Sequence, residues 1–130
     1  MQVDIVSPER ILFSGQATMV VTRTLDGEIA FQPNHAPFLA ALTENHTRIY
    51  EEGGNVVHVA VHGGFVEVSD NRVSILSDLA ELASEIDVEH VRRQLEESSG
   101  RLTHAQDTDV QAEIAAEIRR SEVRLAAARA

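Results

Sequence analysis

Cysteine is absent from this chain, and so are lysine and tryptophan. Without cysteine there is no disulfide framework and no thiolate nucleophile or metal ligand, and nothing points to an oxidising compartment. Aromatic residues are scarce at 4%, while apolar residues as a whole reach 43%. A core is available, but valine, isoleucine, leucine and alanine must fill it. No apolar run approaches the roughly 20 residues that cross a bilayer. The first residues lack a basic segment followed by an apolar one, so no secretion signal is expected. A chain of 130 residues makes one domain, or one with a small appendage. These features lead to the expectation of a soluble, cytoplasmic protein.

The net charge of -10 argues against nucleic acid and against direct binding to anionic lipid, because both need a basic footprint. The charge is uneven. Residues 1–86 hold 4 arginines against 12 carboxylates, and residues 87–130 hold 7 against 9. Genomic base composition accounts for an all-arginine basic set without invoking mechanism.

Hydrophobic periodicity divides the chain in two. Up to about residue 83 it is that of strands: Val3 and Ile5 around Asp4, then Ile11 to Phe13, then Met19-Val20-Val21 between threonines. In VVHVAVHGGFVEV, Val57, Val59 and Val61 share one face, and His58, Ala60 and His62 share the other. Gly63-Gly64 is a tight turn or a bulge. Asp70-Asn71 is a turn signal before a strand from Arg72 to Leu76. Short, regularly spaced strands of this kind predict a β-sandwich or barrel.

After Ile86 the period becomes helical. Val88, Val91, Leu95 and Leu102 form one stripe, with Asp87 at the N-cap position and Gly100 a candidate bend. Thr108 opens a Thr-x-x-Gln capping box, and Val110, Ile114, Ile118 and Leu125 form a second stripe. The pattern predicts a helical hairpin with narrow apolar seams. Such seams bury too little to hold the hairpin alone, so it needs a partner surface. That surface is either the sandwich, permanently, or one of two surfaces exchanged as a switch.

Catalytic signals are weak. His58 and His62 are four residues apart, but on a strand that places them ~13 Å apart, too far to share a metal ion. Gly63-Gly64 lacks the longer glycine pattern and the Lys-Ser/Thr of a phosphate loop. No nucleophile triad is readable. The local oddity is PNHAP at residues 33–37. Pro33 and Pro37 stiffen a turn bearing His35, with Ile29 and Phe31 before it and Phe38 and Leu39 after it. This is either a pre-organised recognition loop or a structural turn whose shoulders fill the core.

The segment GEIAFQPNHAPFLAAL resembles the hallmark Gly-Glu-x-Gly-x-x-Pro-x-His-x-Pro-Leu of the epsilon subunits of bacterial F-type ATP synthases. VHGGFVEVSDNRVSIL, followed by Asp78 and Ala80-Glu81, is similar to their second hallmark, and the opening DIVSPERILFSGQA fits as well. Order and spacing hold from residue 2 to about 87. Ala30 and Asn34 stand where the family often has glycine, and Phe38 precedes Leu39 where leucine is commoner.

The resemblance implies an α+β protein. A ten-stranded β-sandwich over residues 1–86 would be followed by a two-helix antiparallel hairpin over residues 87–130. It implies a non-catalytic rotor subunit of a proton-translocating complex, peripheral on the cytoplasmic face of the bacterial membrane. The gamma subunit, the c-ring and the catalytic alpha/beta head would be its partners. Glu28, Ile29, Pro33, His35 and Pro37 would face the c-ring, where a stiff turn transmits torque without yielding. The hairpin would inhibit ATP hydrolysis when extended, through Arg92, Arg93, Arg101, Arg119, Arg120, Arg124 and Arg129 meeting acidic segments of the head. A solvated helical face is the plainer account of those arginines.

Some members bind ATP through Ile-Asp-x-x-Arg-Ala and arginines of the second helix. Glu81, Ile86, Asp87, Arg120 and Arg124 match that set, but His90 and Val91 replace its arginine and alanine. An imidazole offers less to a phosphate than a guanidinium fork. ATP is thus expected to bind weakly or not at all, and no other cofactor is expected. Two readings compete with the resemblance. One is a stand-alone β-sandwich module for a peptide or small ligand. The other is an enzyme using dispersed carboxylates and His35.

Overall fold

A computed structural model describes all 130 residues. Eight strands come first: β1 (Gln2–Val6), β2 (Ile11–Gln16), β3 (Met19–Thr24), β4 (Gly27–Phe31), β5 (Phe38–Tyr50), β6 (Val56–Ser69), β7 (Arg72–Leu76) and β8 (Ala80–Leu82). A 3-10 turn at Ala83–Glu85 leads to α1 (Val88–His104) and α2 (Thr108–Arg129).

The pairing explains why eight strands build a sandwich expected to have ten. β5 and β6 pair in unbroken register from Phe38↔Val68 to Tyr50↔Val56, through both layers. The ends of β6 take different neighbours. Val59 to Val61 pair with β8, and Phe65 to Ser69 pair with β7. One layer is therefore β2-β1-β7 with the Gly64 side of β6 and the start of β5. The other is β8, the first half of β6, the rest of β5, β3 and β4. Counted by layer, the two long strands each serve twice.

The division falls at Gly63-Gly64, which is no turn. The strand continues through both glycines, at φ 90 and φ 110. A Cβ on Gly64 would lie 2.0 Å from the Leu76 carbonyl oxygen, so only glycine lets β6 bend here against β7.

Alternation on each strand directs one face inward. Val3, Ile5, Val66, Val73 and Ile75 of one layer meet Val20, Phe31, Ile49, Val59 and Val61 of the other, all wholly buried. One buried polar knot interrupts this core. Thr22, Asn45 and Thr47 satisfy one another at 2.7–3.2 Å, and Asn45 Nδ2 donates to Thr43 O.

The helices begin and end for local reasons. Asp87 caps α1, accepting from the His90 N–H at 3.1 Å. The cap of α2 is Asp107, not Thr108: its carboxylate accepts from the N–H groups of Asp109 and Val110. A carboxylate at that position also answers the helix dipole, which a hydroxyl does not. Gln111 turns back to Ala105 O at 2.8 Å instead of closing a capping box. α1 runs unbroken through Gly100. The hairpin lies folded against the sandwich, with α2 across β5 and β6. Ala60, Ile86, Val91, Leu125 and Ala127 form a second, separate core there. Val110, at the far end of α2, stays exposed.

Candidate functional site

Three surfaces stand out, and two of them carry residues that the sequence singled out. The first is the 33–37 turn. Asn34 sits at φ 65 and donates its N–H to Asn71 Oδ1 at 2.8 Å, tying this turn to the β6–β7 turn. The His35 N–H donates to Gln32 O at 3.2 Å. The His35 ring stands edge-on to Phe31, with centroids 5.0 Å apart, and Phe31 stacks at a tilt on Phe38. Nδ1 lies 2.7 Å from Ala36 O. A carbonyl only accepts, so Nδ1 carries a proton. Stiffness here thus comes from the Phe31–His35–Phe38 stack and the bond to Asn71 as much as from the two prolines, which are themselves exposed.

The other two residues expected beside this turn lie elsewhere. Glu28 and Ile29 are at the start of β4, and the turn follows its end. Glu28 is exposed and ion-paired with Arg48 of β5, while Ile29 packs against the sandwich core. The five residues are one segment of sequence but two places in space.

The second surface was not legible as a unit in the sequence. On the outer face of the first layer, ladder partners form a lateral row. Ile11 stands beside Val6, Val6 beside Leu76, Leu76 beside Phe65 and Phe65 beside Ala41. Ile11, Leu76 and Phe65 are 66%, 51% and 56% exposed, and Leu39 at 70% lies next to the row. Outer-face positions of an isolated sandwich are mostly polar, so an apolar row across five strands is an exposed patch of the kind protein interfaces use. The only sequence signal was that Phe65 and Leu76 fall on the polar phase of their strands.

The third surface is a cleft of about 740 Å³ between the hairpin and the sandwich. Glu81, Arg120 and Arg124 of the ATP-like set line it; Ile86 and Asp87 do not. Ile86 is buried in the hairpin–sandwich core and Asp87 is spent as a cap. Val91 also faces that core, wholly buried, and does not line the cleft.

Cations in the cleft are largely neutralised from within. Arg124 Nη2 donates to Glu81 Oε1 at 3.0 Å, and its Nε stands 2.8 Å from Oε2. Arg10 grips Glu85 with two bonds of 2.9 and 2.8 Å. Arg101 pairs with Glu117, which also accepts from Ser98. Hydrogen bonding from Arg101 holds the Glu117 carboxyl below its usual range, and Arg10 does the same for Glu85. Only Arg120 faces the cleft without an ion-pair partner. On the outer helical faces, Arg92 pairs with Glu89, while Arg93, Arg119 and Arg129 are exposed. No helix is long and apolar enough to cross a membrane.

A sandwich with an exposed apolar row, a braced turn and a folded-back helical hairpin has the features of a subunit that docks on other proteins. Residues 1–83 match the family described as ATP synthase, Delta/Epsilon chain, beta-sandwich domain. Among curated relatives, the ATP synthase epsilon chain of Brevibacillus brevis is 47% identical over 103 residues, covering 79% of this chain and 78% of that one. The epsilon chain of Streptomyces griseus is 40% identical over 127 residues, covering 98% and 94%. That of Thermobifida fusca is 42% identical over 132 positions, covering 98% and 91%. The chain belongs to the ATP synthase epsilon chain family.

Two solved assemblies share the fold at 23% identity. One is the Euglena gracilis mitochondrial ATP synthase OSCP/F1/c-ring, at a TM-score of 0.84, covering 96% of this chain and 79% of that one. The other is the Tetrahymena thermophila mitochondrial ATP synthase central stalk/c-ring, at 0.61, covering 95% and 91%.

Proposed function

We propose that this chain is a non-catalytic rotor subunit of the central stalk of a proton-translocating ATP synthase, peripheral on the cytoplasmic face of the membrane. Residues 1–86 couple the gamma subunit to the c-ring, and residues 87–130 form a regulatory hairpin. The observation that carries this reading is the apolar row Ile11–Val6–Leu76–Phe65–Ala41 with Leu39. It is the face suited to gamma. The braced turn at Pro33, His35 and Pro37 lies at an exposed end suited to the c-ring, and Glu28 contributes from further along β4.

Placing a charge in the middle of the row tests the assignment. Phe65→Glu is expected to leave the sandwich folded, because Phe65 points outward, and to abolish co-purification with gamma. Retention of gamma by this variant would remove the row from the interface. Failure of the unaltered chain to retain gamma at all would instead favour a stand-alone binding module.

The hairpin inhibits ATP hydrolysis when it leaves the sandwich and reaches the catalytic head. Arg93, Arg119 and Arg129 are already free for that contact, whereas Arg92, Arg101 and Arg124 must first exchange their present carboxylates. The same internal pairs argue against a nucleotide. ATP would have to displace Glu81 from Arg124, leaving Arg120 as the single ready cation. Calorimetric titration of the chain is expected to give a Kd above ~1 mM, a binding free energy weaker than about -4 kcal/mol. Micromolar binding would overturn this.

A further inference from the structure

Three of the six histidines lie on one sheet face, and it is the face the hairpin covers. Ladder partners define it. Glu44 is opposite His62, His46 opposite Ala60 and Arg48 opposite His58. Ala60, in the middle, is wholly buried under Leu125 and Ala127 of α2. A permanent helix–sheet interface is normally lined with apolar side chains. This one has an apolar centre flanked by imidazoles on both sides along β6. We propose that the compact hairpin is an acid-released clasp, in which protonation of the imidazoles beneath it drives α2 off the sheet.

On one side, His46 Nε2 and His58 Nδ1 are 2.7 Å apart, with ring centroids 4.9 Å apart. One hydrogen occupies that line, so one nitrogen donates and the other accepts. Two imidazolium rings would set two N–H groups against each other, so the pair cannot hold its full complement of protons without separating. Arg48 stands beside it, held by Glu28, and adds positive charge. Burial, then His58, then Arg48 push the His46 imidazole below its ordinary value. No carboxylate on the strands is bonded to the pair, and the charged residue at the end of α2 is Arg129, another cation.

On the other side, the His62 side chain is 5% exposed, with Nε2 3.3 Å from Glu81 Oε2 and Nδ1 3.7 Å from Glu44 Oε2. His62, Glu44 and Glu81 belong to β6, β5 and β8, so they stay together whether or not the hairpin is docked. Docking adds Arg124 from α2, which takes Glu81 for itself and is steadied by Gln94 of α1 at 3.3 Å. Asp78, Glu97 and Arg120 line the cleft further out. A proton on His62 places a second cation on the carboxylate that Arg124 needs, and it weakens the one ion pair joining α2 to β8.

His46 lies on the face that α2 covers, and its burial favours its neutral form. A group whose value is depressed in the docked state leaves docking undisturbed above its free value, about 6.5 for histidine. As pH falls below that, the free form binds protons that the docked form refuses. The open-to-docked ratio then rises by up to about tenfold per pH unit for each proton taken up. The proposal concerns docking alone and does not rest on what the free hairpin inhibits.

The chain has no cysteine, so dyes can be attached at Glu52→Cys and Glu113→Cys, both exposed and outside the contacts named above. Energy transfer between the dyes is expected to fall between pH 7.5 and 5.5, while the circular dichroism of the strands is unchanged. The double variant His46→Gln/His58→Gln is expected to flatten the profile, and His62→Gln alone to make it shallower. Transfer that is constant over this range, or that rises on acidification, would overturn the proposal. So would a falling profile that is the same in both variants. Should the double variant fail to fold, the His62→Gln profile decides.

Discussion

Replacing Gly64 by alanine is expected to cost this sandwich on the order of 4 kcal/mol, a large part of the 5–15 kcal/mol that holds a domain of this size. Two terms add. The residue sits at φ +110, which L side chains rarely adopt, at ~1–3 kcal/mol. A Cβ would also stand 2.0 Å from the Leu76 carbonyl oxygen and 2.9 Å from Ser77 Cα, both backbone atoms that cannot rotate away. The β6–β7 ladder must open, at a further cost of about 1–3 kcal/mol. Gly63→Ala is the matched comparison. Its φ of +90 is strained too, but its Cβ would meet nothing nearer than Leu42 O at 4.0 Å. The Gly64 variant should therefore melt roughly 15–30 °C lower than the parent, and clearly below the Gly63 variant. Equal losses for the two would refute the steric half of the argument.

Leu125→Glu is expected to undock the hairpin while leaving the sandwich intact. Leu125 is 6% exposed among Ala60, Ile86, Val91 and Ala127, with no cation in that cluster to receive a carboxylate. An unpaired buried charge costs several kcal/mol, more than any single contact joining α2 to the sheet. The sandwich core shares no residue with this cluster, so the substitution leaves that core's own packing unchanged. Hydrogen exchange should show lost protection across residues 108–129 and retained protection in β5 and β6. With the cognate head and gamma, the variant should hydrolyse ATP more slowly than the parent complex, because its hairpin is free to extend. A chain ending at Ile86 should not suppress hydrolysis. If the variant and the truncated chain behave alike, the hairpin is a structural element and coupling by the sandwich is the whole function.

Much of the fold was legible because it is local. Val57, Val59 and Val61 announce an inward face by alternation alone, and Asp87 announces a helix start by chemistry alone. The strand count was less legible. Whether β5 and β6 are two strands or four depends on how neighbours pair with each half. Gly63-Gly64 illustrates the limit: two adjacent glycines look like a turn until the register shows the strand passing through them. At the second cap, Asp107 and Thr108 both have the right chemistry, and the carboxylate prevailed. The segment from Glu28 to Pro37 is contiguous in sequence, but its residues do not share one place on the surface. A strand of five residues is enough to separate Glu28 from the turn and to turn Ile29 against the core.

By itself, the sequence determined the two periods, the hairpin, the poverty of catalytic chemistry and, through its two hallmark segments, the family. These depend on residue type and on spacing within one element, which the backbone imposes whatever surrounds it. Tertiary structure alone decided which groups meet. Arg124 reaches Glu81 across 43 positions, and Arg10 reaches Glu85 across 75. The apolar row exists only once five strands are in register. His58 and His62 share a face by alternation, but only strand pairing brings His46 onto it, and only α2 covers it. Such contacts join elements far apart in the chain, and their geometry follows from how the layers close and where a marginal hairpin finds its surface.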